Sequence, residues 1–381
     1  MRIQTTSFFH GAGWTEPIDP GLDSPQTLVL AFAGPRYGAE PAPFEYLRAS
    51  LPGATIVGCS TAGEIHGTRV CDDSVSVAVV RFEHTTVRAA TAPLRAPGDS
   101  FAAGVSIGKT LAAPDLEGVL LFSNGDSLGV NGSELVRGIN DRIHGSAVVT
   151  GGLAGDGSRF EKTWVVHEGQ PHFGLVAAVG LYGPRVKIGH GSRGGWDIFG
   201  PERVVSRAAG NVLYELDGKP ALQLYKEYLG DRAAGLPSTG LLFPLALRAS
   251  GASDKRLVRT ILAVDEADQS LIFAGDIPQG SLAQLMRANF DRLVGGAHDA
   301  ASMACGPAEP AGPMLSIAIS CVGRRLVLGE RVEEETEAVL EALPVGVRQV
   351  GFYSYGEISP YADGTCDLHN QTMTLTTVAE E

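Results

Sequence analysis

Three short apolar runs along the chain are each followed by the same order of predicted elements. Each run is closed by glycine, which is typical of a buried strand that ends in a turn. The runs are TLVLAFAG (27–34), GVLLFSNG (118–125) and MLSIAISCVG (314–323). Helical patterns follow them at residues 42–50, 131–144 and 330–343. The third helical pattern opens with Glu333, Glu334 and Glu335, which suits the positive end of a helix dipole.

Each helical pattern leads into a second strand with a glycine-rich end and an acidic residue. The segments are GCSTAGEI (58–65), GGLAGD (151–156) and GFYSYGEI (351–358). Alternating strand patterns follow each segment. We therefore predict an α/β fold (mixed α+β) with mixed sheets. It consists of two lobes of related topology, built from repeated strand–helix–strand–Gly turn–strand units. The alternative is chance similarity among short apolar runs.

The region that links the two predicted lobes has a less regular pattern. Residues 190–204 are rich in glycine and predict a loop, and residues 210–230 predict broken helical pieces. Two β-rich runs flank the sequence DEADQ in residues 257–281, which indicates a hairpin.

The net charge and the cysteine content argue against several classes of protein. The net charge of −13 argues against a general nucleic-acid or membrane-surface binder, because both carry negative charge. No apolar run approaches the ~18 residues of a membrane span, and the N-terminal segment lacks the apolar core of a secretory signal. The 5 cysteines are odd in number and form no CxxC pair, which argues against a disulfide framework or a zinc site. We expect a soluble cytoplasmic protein with reduced thiols and no membrane insertion.

The glycine–acid turns are the predicted binding site. Glycine lets the backbone approach a ligand, and free N–H groups bind an anion such as a carboxylate. Glu64, Asp156 and Glu357 offer acceptors for an ammonium, so the pattern suits an amino acid. The alternative is that the glycines only permit positive φ and the acids face solvent or cap helices. The predicted ligand-binding residues are Cys59, Ser60, Thr61, Gly63, Glu64, Asp156, Arg325, Ser354, Tyr355, Gly356, Glu357, His369 and Asn370.

Two other functions stay open from the residues alone. Cys59, or Cys321 beside Arg324 and Arg325, could serve a hydrolase as nucleophile, although no motif supplies the base that it needs. A single histidine such as His369 could hold a non-covalent haem. We predict no catalytic residue, no metal and no obligatory cofactor.

Six segments in chain order resemble one known family. They are GCSTAGEI, DGKPALQLY, GDIPQGS, SCVGRRLVLGERVEEETE and GFYSYGEISP with DLHNQTMTL. These segments resemble the paired FIST N and FIST C domains, here at residues 24–219 and 220–381. The resemblance implies a sensory protein of intracellular signal transduction that binds small ligands such as amino acids. Some members of the family bind haem and respond to nitric oxide.

The resemblance also implies a partner. Members of this family occur fused to, or beside, histidine kinases, diguanylate cyclases and chemoreceptors. The chain shows no kinase motif, no GGDEF-like segment and no transmembrane helix. We therefore expect a stand-alone sensor that signals through a separate protein.

Overall fold

The computed structural model describes residues 1–125, 130–143, 147–248, 256–305, 312–361 and 364–381. The first part of the chain is mostly strand. Its elements are β1 (Arg2–Phe9), β2 (Gly13–Trp14), β3 (Thr27–Ala33), α1 (Ala42–Ser50), β4 (Thr55–Ser60), β5 (Glu64–His66), β6 (Arg69–Cys71), β7 (Ser74–Arg81) and β8 (Thr86–Pro93). The next elements are α2 (Ser100–Leu111), β9 (Leu116–Ser123), α3 (Gly132–Asn140), β10 (Val148–Leu153), β11 (Val165–His167), β12 (Gln170–His172), β13 (Leu175–Tyr182) and β14 (Val186–Arg193).

The second half begins with a block of antiparallel strands and returns to the repeated pattern. The block comprises β15 (Trp196–Ala209), β16 (Val212–Leu216), β17 (Lys219–Pro220), α4 (Ala221–Leu229), β18 (Leu245–Arg248), β19 (Arg256–Arg259), β20 (Ile261–Asp265), β21 (Ser270–Phe273), β22 (Leu282–Ala288) and α5 (Phe290–Cys305). The last elements are β23 (Met314–Cys321), α6 (Val322–Leu328), α7 (Val332–Glu341), β24 (Arg348–Ser354), β25 (Gly356–Pro360), β26 (Cys366–His369) and β27 (Met373–Glu380).

Three sheets follow one plan. In each, two parallel strands joined by helix lie beside an antiparallel closing strand: β3 and β4 with β7, β9 and β10 with β13, and β23 and β24 with β27. Parallel strands covered on both faces are apolar along their whole length. Accordingly, every residue of β3 and of β23 is buried.

The three units exchange hairpins in a closed cycle. The hairpin β5–β6 of the first unit adds to the third sheet through β24, and β25–β26 of the third unit adds to the second sheet through β10. The hairpin β11–β12 of the second unit adds to the first sheet through β4. Each sheet is therefore completed by another unit, and no unit holds its whole sheet alone.

One apolar core joins the inner faces of the three sheets. The rings of Phe32 and Phe122 have centroids 5.5 Å apart, and Phe352 lies 4.8 Å from Phe32 and 6.2 Å from Phe122. These side chains come from β3, β9 and β24, one from each unit. All three are fully buried. Burial of this shared cluster holds the three units around a common centre.

The second strand of each unit contains a glycine that lies close to the backbone of the neighbouring parallel strand. A Cβ built on Gly58 would lie 1.8 Å from the Ala31 carbonyl oxygen, and one on Gly351 would lie 1.8 Å from the Ala318 carbonyl oxygen. Gly151 has the same relation to Leu121, at 1.9 Å. These glycines open the shared segments noted above, so close backbone approach explains why the pattern begins with glycine.

A fourth sheet stands outside this cycle. Its order is β19-β18-β22-β15-β16-β21-β20, and it packs on helix α4 around its own apolar cluster. The hairpin predicted around DEADQ is confirmed, since Asp265 of β20 pairs with Ser270 of β21. The loop predicted at 190–204 is wrong, because most of it belongs to β14 and β15.

The mixed α/β class with mixed sheets is confirmed. Helices α1, α3 and α7 lie within the three predicted helical patterns, although residue 144 of the second pattern lies outside the described residues. Helix α3 begins where the Asn131 side chain accepts a hydrogen bond from the Glu134 N–H, at 3.1 Å. The repeated pattern forms three units, which exchange strands and share a core.

Candidate functional site

The three glycine-rich turns meet in a ring at one end of the shared core. The N–H of Ala62 donates to the Tyr353 carbonyl at 2.8 Å, and the N–H of Gly155 donates to the Ser60 carbonyl at 2.9 Å. The N–H of Tyr355 closes the ring on the Leu153 carbonyl, at 3.2 Å. The three donors hold the same place in their segments, as do the three acceptors. The structure thus brings together turns that lie up to 293 residues apart in sequence, from Ala62 to Tyr355.

Glu64 and Glu357 occupy matching buried positions in two of these turns. Glu64 accepts hydrogen bonds from the Thr61 hydroxyl and from the N–H and hydroxyl of Ser74. Glu357 accepts from the Ser354 hydroxyl at 2.6 Å and from the N–H and hydroxyl of Thr372. Each carboxyl therefore ties its own turn to the strand or loop that follows. Both are at most 1% exposed, so neither faces an open ligand site.

Burial also changes the acidity of these two carboxyls. It raises the pKa of Glu64 to about 7, partly offset by the hydrogen bonds from Thr61 and Ser74. It raises the pKa of Glu357 to about 8, again against the hydrogen bonds that the carboxyl accepts. A partly protonated, enclosed carboxyl is a poor partner for a ligand ammonium.

Raising the pH is expected to lower the free energy of unfolding through Glu64 and Glu357. An unfolded glutamate has a pKa of about 4.3, below the folded values of about 7 and about 8. Their stabilising contribution is therefore fully present below the unfolded pKa and is lost as the pH rises through the folded pKa values. Urea denaturation at about pH 5.5 and about pH 8.5 measures the change. In the double variant Glu64→Gln/Glu357→Gln, the free energy of unfolding should change less between these two pH values. An equal change in the wild-type protein and the variant would contradict the prediction.

Asp156 does not match the two glutamates in position. Its segment carries Gly157 where the others have glutamate, so its carboxylate points elsewhere. It accepts hydrogen bonds from the N–H groups of three consecutive residues, Phe160 to Lys162, at 2.8–3.0 Å, and from the Tyr355 hydroxyl. Asp156 is 1% exposed and holds the loop after its own turn.

Arg325 is the predicted residue that connects the C-terminal region to the first turn. Its guanidinium donates two hydrogen bonds of 2.8 Å to the Asp72 carboxylate and a third to the Ala62 carbonyl. A Cβ on Gly63 would lie 2.5 Å from Nη1 of Arg325, and Gly63 has a φ of +133°. Glycine is therefore required here by both the backbone and the arginine.

His369 and Asn370 lie beside the third turn, since His369 pairs with Glu357 across β25 and β26. The Nε2 atom of His369 is 2.9 Å from the Ser359 carbonyl oxygen. Coordination of a haem iron through this nitrogen would break that hydrogen bond. The Asn370 side chain is 1% exposed and accepts a long hydrogen bond of 3.5 Å from the Thr260 N–H. Both residues therefore lie at the seam with the fourth sheet.

The two cysteines considered as nucleophiles are buried thiols. Cys59 lies in the shared core, and burial raises its pKa well above the ordinary value. Burial likewise raises the pKa of Cys321, with the nearby Glu357 carboxyl adding to the effect. Because the thiolate is the reactive form, both environments disfavour nucleophilic chemistry.

A cleft that no sequence pattern indicates lies between the fourth sheet and helix α6. Its volume is about 520 Å³, within the range of ~300–1,000 Å³ typical of small-molecule sites. Its walls come from β15, α4, the segment between α4 and β18, β22, the start of α5, and α6. The lining residues are Phe199, Tyr228, Leu229, Arg232, Leu242, Phe243, Arg287, Ala288, Phe290, Leu326 and Val327.

Helix α6 lies between this cleft and the ring of turns. Leu326 and Val327 face the cleft, while Arg325 binds the first turn. The preceding Arg324 is fully buried and pairs with Glu335 of α7 at 2.7 Å. Its guanidinium also donates to the carbonyls of Gly194 and Leu293, which anchors α6 to α5 and to the start of the fourth sheet. Adjacent residues of one helix therefore contact the cleft and the first turn.

Within the described ranges, no helix combines the length and apolar character that crossing a membrane requires. In the same part of the chain, no group of three or more His, Cys, Asp or Glu side chains is placed to hold a metal ion.

Comparisons with known proteins found a relative and a solved structure that are similar to this chain. The uncharacterized protein MJ1623 of Methanocaldococcus jannaschii is 26% identical over 238 residues, which cover 55% of this chain and 44% of that protein. The match thus spans less than half of that relative. The solved structure of cyanuric acid hydrolase from A. caulinodans aligns over 100% of this chain and 99% of its own, with 8% identity and a TM-score of 0.36. That score supports no inference about activity.

Two family models account for most of the chain. The FIST N domain model matches residues 27–219 and the FIST C domain model matches residues 221–360. FIST domains are known as small-ligand sensory domains of signalling proteins. The chain belongs to the FIST family.

Proposed function

We propose that this protein is a sensory protein that binds a small ligand in the cleft lined by Phe199, Arg287 and Leu326 and signals through a separate protein. The observation that carries the proposal is the position of α6, which contributes Leu326 to the cleft and Arg325 to the first glycine-rich turn. A ligand that prefers one position of α6 would shift the population of that position. The partner that reads it would be a signalling protein such as a histidine kinase, a diguanylate cyclase or a chemoreceptor.

In this proposal, the predicted glycine–acid turns transmit the signal and do not hold the ligand. The ligand is a small polar molecule. Buried, hydrogen-bonded Glu64 and Glu357 keep their turns in one arrangement. Arg325, on the helix that borders the cleft, contacts the first of these turns. Neither a haem pocket nor a nucleophile with its base is favoured by a specific arrangement of the described residues.

A thermal-shift panel of amino acids, small carboxylates and nucleotides tests the proposal. We expect one chemical class to raise the melting temperature, because a ligand at 100 times its Kd stabilises the folded state by about 2.7 kcal/mol. The shift should disappear in Leu326→Glu and remain in Met303→Glu. These side chains are similarly exposed, at 44% and 42%, but Met303 does not line the cleft. A flat panel, or equal loss in both variants, would contradict the proposal.

Hydrogen exchange then separates binding from transmission. The ligand identified by the panel should alter exchange in residues 58–65 of the wild-type protein. In Arg325→Met the ligand should still bind, but exchange in these residues should no longer respond, since the contacts with Ala62 and Asp72 are lost. An unchanged response in this variant would exclude α6 as the route.

A further inference from the structure

We propose that the cleft selects an aromatic carboxylate that lacks an ammonium group. This inference rests on the proposed function and specifies the ligand class of the same site. It departs from the amino acid that the glycine–acid pattern suggests, because the chemical groups of the cleft differ from those of the turns.

Aromatic rings form much of the cleft wall. Phe199, Tyr228, Phe243 and Phe290 all line it, and they come from four separate segments of the chain. Phe199 and Phe290 are 38% and 43% exposed, which is high for phenylalanine in a folded protein. Large apolar side chains left exposed around one concavity mark a binding surface. A flat ring can pack against several of these rings at once.

The charge of the cleft is positive. Arg232 lies over the Phe243 ring at 5.3 Å, and Arg287 lies over the Phe199 ring at 5.7 Å. Neither guanidinium has a carboxylate within ion-pair distance among the residues that the structure describes. An arginine placed beside an aromatic ring keeps N–H donors for a planar carboxylate, which it binds through two parallel hydrogen bonds.

The cleft offers an ammonium group no comparable partner. None of the described lining residues is acidic. Asp197, which lies opposite Arg287 across β15 and β22, pairs with Arg292 at 2.6 Å. Asp291, next to Phe290 in the sequence, pairs with Arg331 at 3.4 Å. The Tyr228 hydroxyl accepts a hydrogen bond from Arg203 at 2.6 Å. An α-ammonium entering the cleft would lose its water beside two guanidinium groups, which is unfavourable.

A matched set of probes tests this selection by titration calorimetry. Indole-3-propanoate, tryptophan and tryptamine share one ring system and differ in their charged groups. We expect indole-3-propanoate to bind at least about tenfold more tightly than tryptophan, because the ammonium of tryptophan would lose water beside two guanidinium groups. Tryptamine should bind most weakly, because it also lacks the carboxylate that makes charge-assisted hydrogen bonds. Phenylpropanoate, phenylalanine and phenethylamine repeat the comparison with a smaller ring.

Arginine variants locate the binding. Arg232→Met and Arg287→Met should each weaken indole-3-propanoate binding by about tenfold or more. Both arginines are exposed, so both variants should fold. Arg88→Met is the control: Arg88 lies over the Tyr182 ring at 4.5 Å, does not line the cleft, and should leave binding unchanged.

Three outcomes would overturn this inference. They are equal or tighter binding of tryptophan, binding that is insensitive to both cleft arginines, and no binding of any of these probes. The sensory function fails separately, when the wider panel gives no shift that Leu326→Glu abolishes. A rise in melting temperature that is caused by another chemical class and abolished by Leu326→Glu would support the sensory function. It would overturn the selection of an aromatic carboxylate.

Discussion

Gly351→Ala should destabilise the protein by about 3 kcal/mol or more, the upper range for forcing atoms into a packed interior. The added Cβ would lie 1.8 Å from the Ala318 carbonyl oxygen, a backbone atom that the parallel pairing of β23 and β24 holds in place. Relief would require the two strands to move apart. Because they belong to the shared core, such a shift would also disturb the packing around Phe352.

Urea denaturation of the Gly351→Ala variant, with the Gly295→Ala variant as the control, measures this loss of stability. Gly295 is exposed within helix α5, and a Cβ there would meet no atom within 4 Å. Alanine at that position should stabilise the helix by about 1 kcal/mol. Gly58→Ala and Gly151→Ala should resemble Gly351→Ala, since their Cβ atoms would meet carbonyl oxygens at 1.8 and 1.9 Å. Wild-type stability of Gly351→Ala would show that the strands are not packed at this spacing.

Arg324→Met should lower the free energy of unfolding by about 3–5 kcal/mol, the range for removing one partner of a buried ion pair. Arg324 and Glu335 have fully buried side chains. Among the described residues, the hydrogen-bond partners left to the Glu335 carboxylate would be the hydroxyls of Ser320 and Tyr353, at 3.0 and 2.6 Å. It would also remove the hydrogen bonds to the carbonyls of Gly194 and Leu293.

The control for this prediction is Arg331→Met, which removes another arginine that pairs with a glutamate of helix α7. Arg331 and Glu334 are 2.7 Å apart, but their side chains are 43% and 41% exposed. Water screens this pair, and its loss should cost less than about 1 kcal/mol. Equal losses of stability in the two variants, measured by urea denaturation, would contradict the role given to burial.

Glu335 illustrates what the local sequence pattern predicted and what it did not. The acidic run at 333–335 predicted a helix beginning, and α7 does begin at Val332. Within this run, Glu335 is fully buried against Arg324. Helix periodicity places Glu335 on the face that packs on Tyr353, but only the position of α6 supplies the arginine that makes this burial tolerable.

The structure of residues 190–230 was predicted less well than that of the repeated units. Residues 190–204 were expected to form a loop because of their glycines, whereas β15 extends over Trp196–Ala209. Its pairing with β22 and β16 outweighs the weak strand preference of its own residues. Residues 210–230 contain strand β16 besides the predicted helical piece, α4. These elements depend on partners distant in sequence, which a local pattern does not contain.

The sequence by itself determined the three strand–helix–strand units, their glycine-rich turns and the family, because each depends on apolar periodicity or on residues close together in the chain. The tertiary structure decided the exchange of hairpins, the ring of turns and the cleft. Phe199, Arg287 and Leu326 line one cavity although up to 127 residues separate them, from Phe199 to Leu326. These residues come together because the sheets pack against one another. That packing depends on the burial of apolar side chains along the whole chain and not on any short segment.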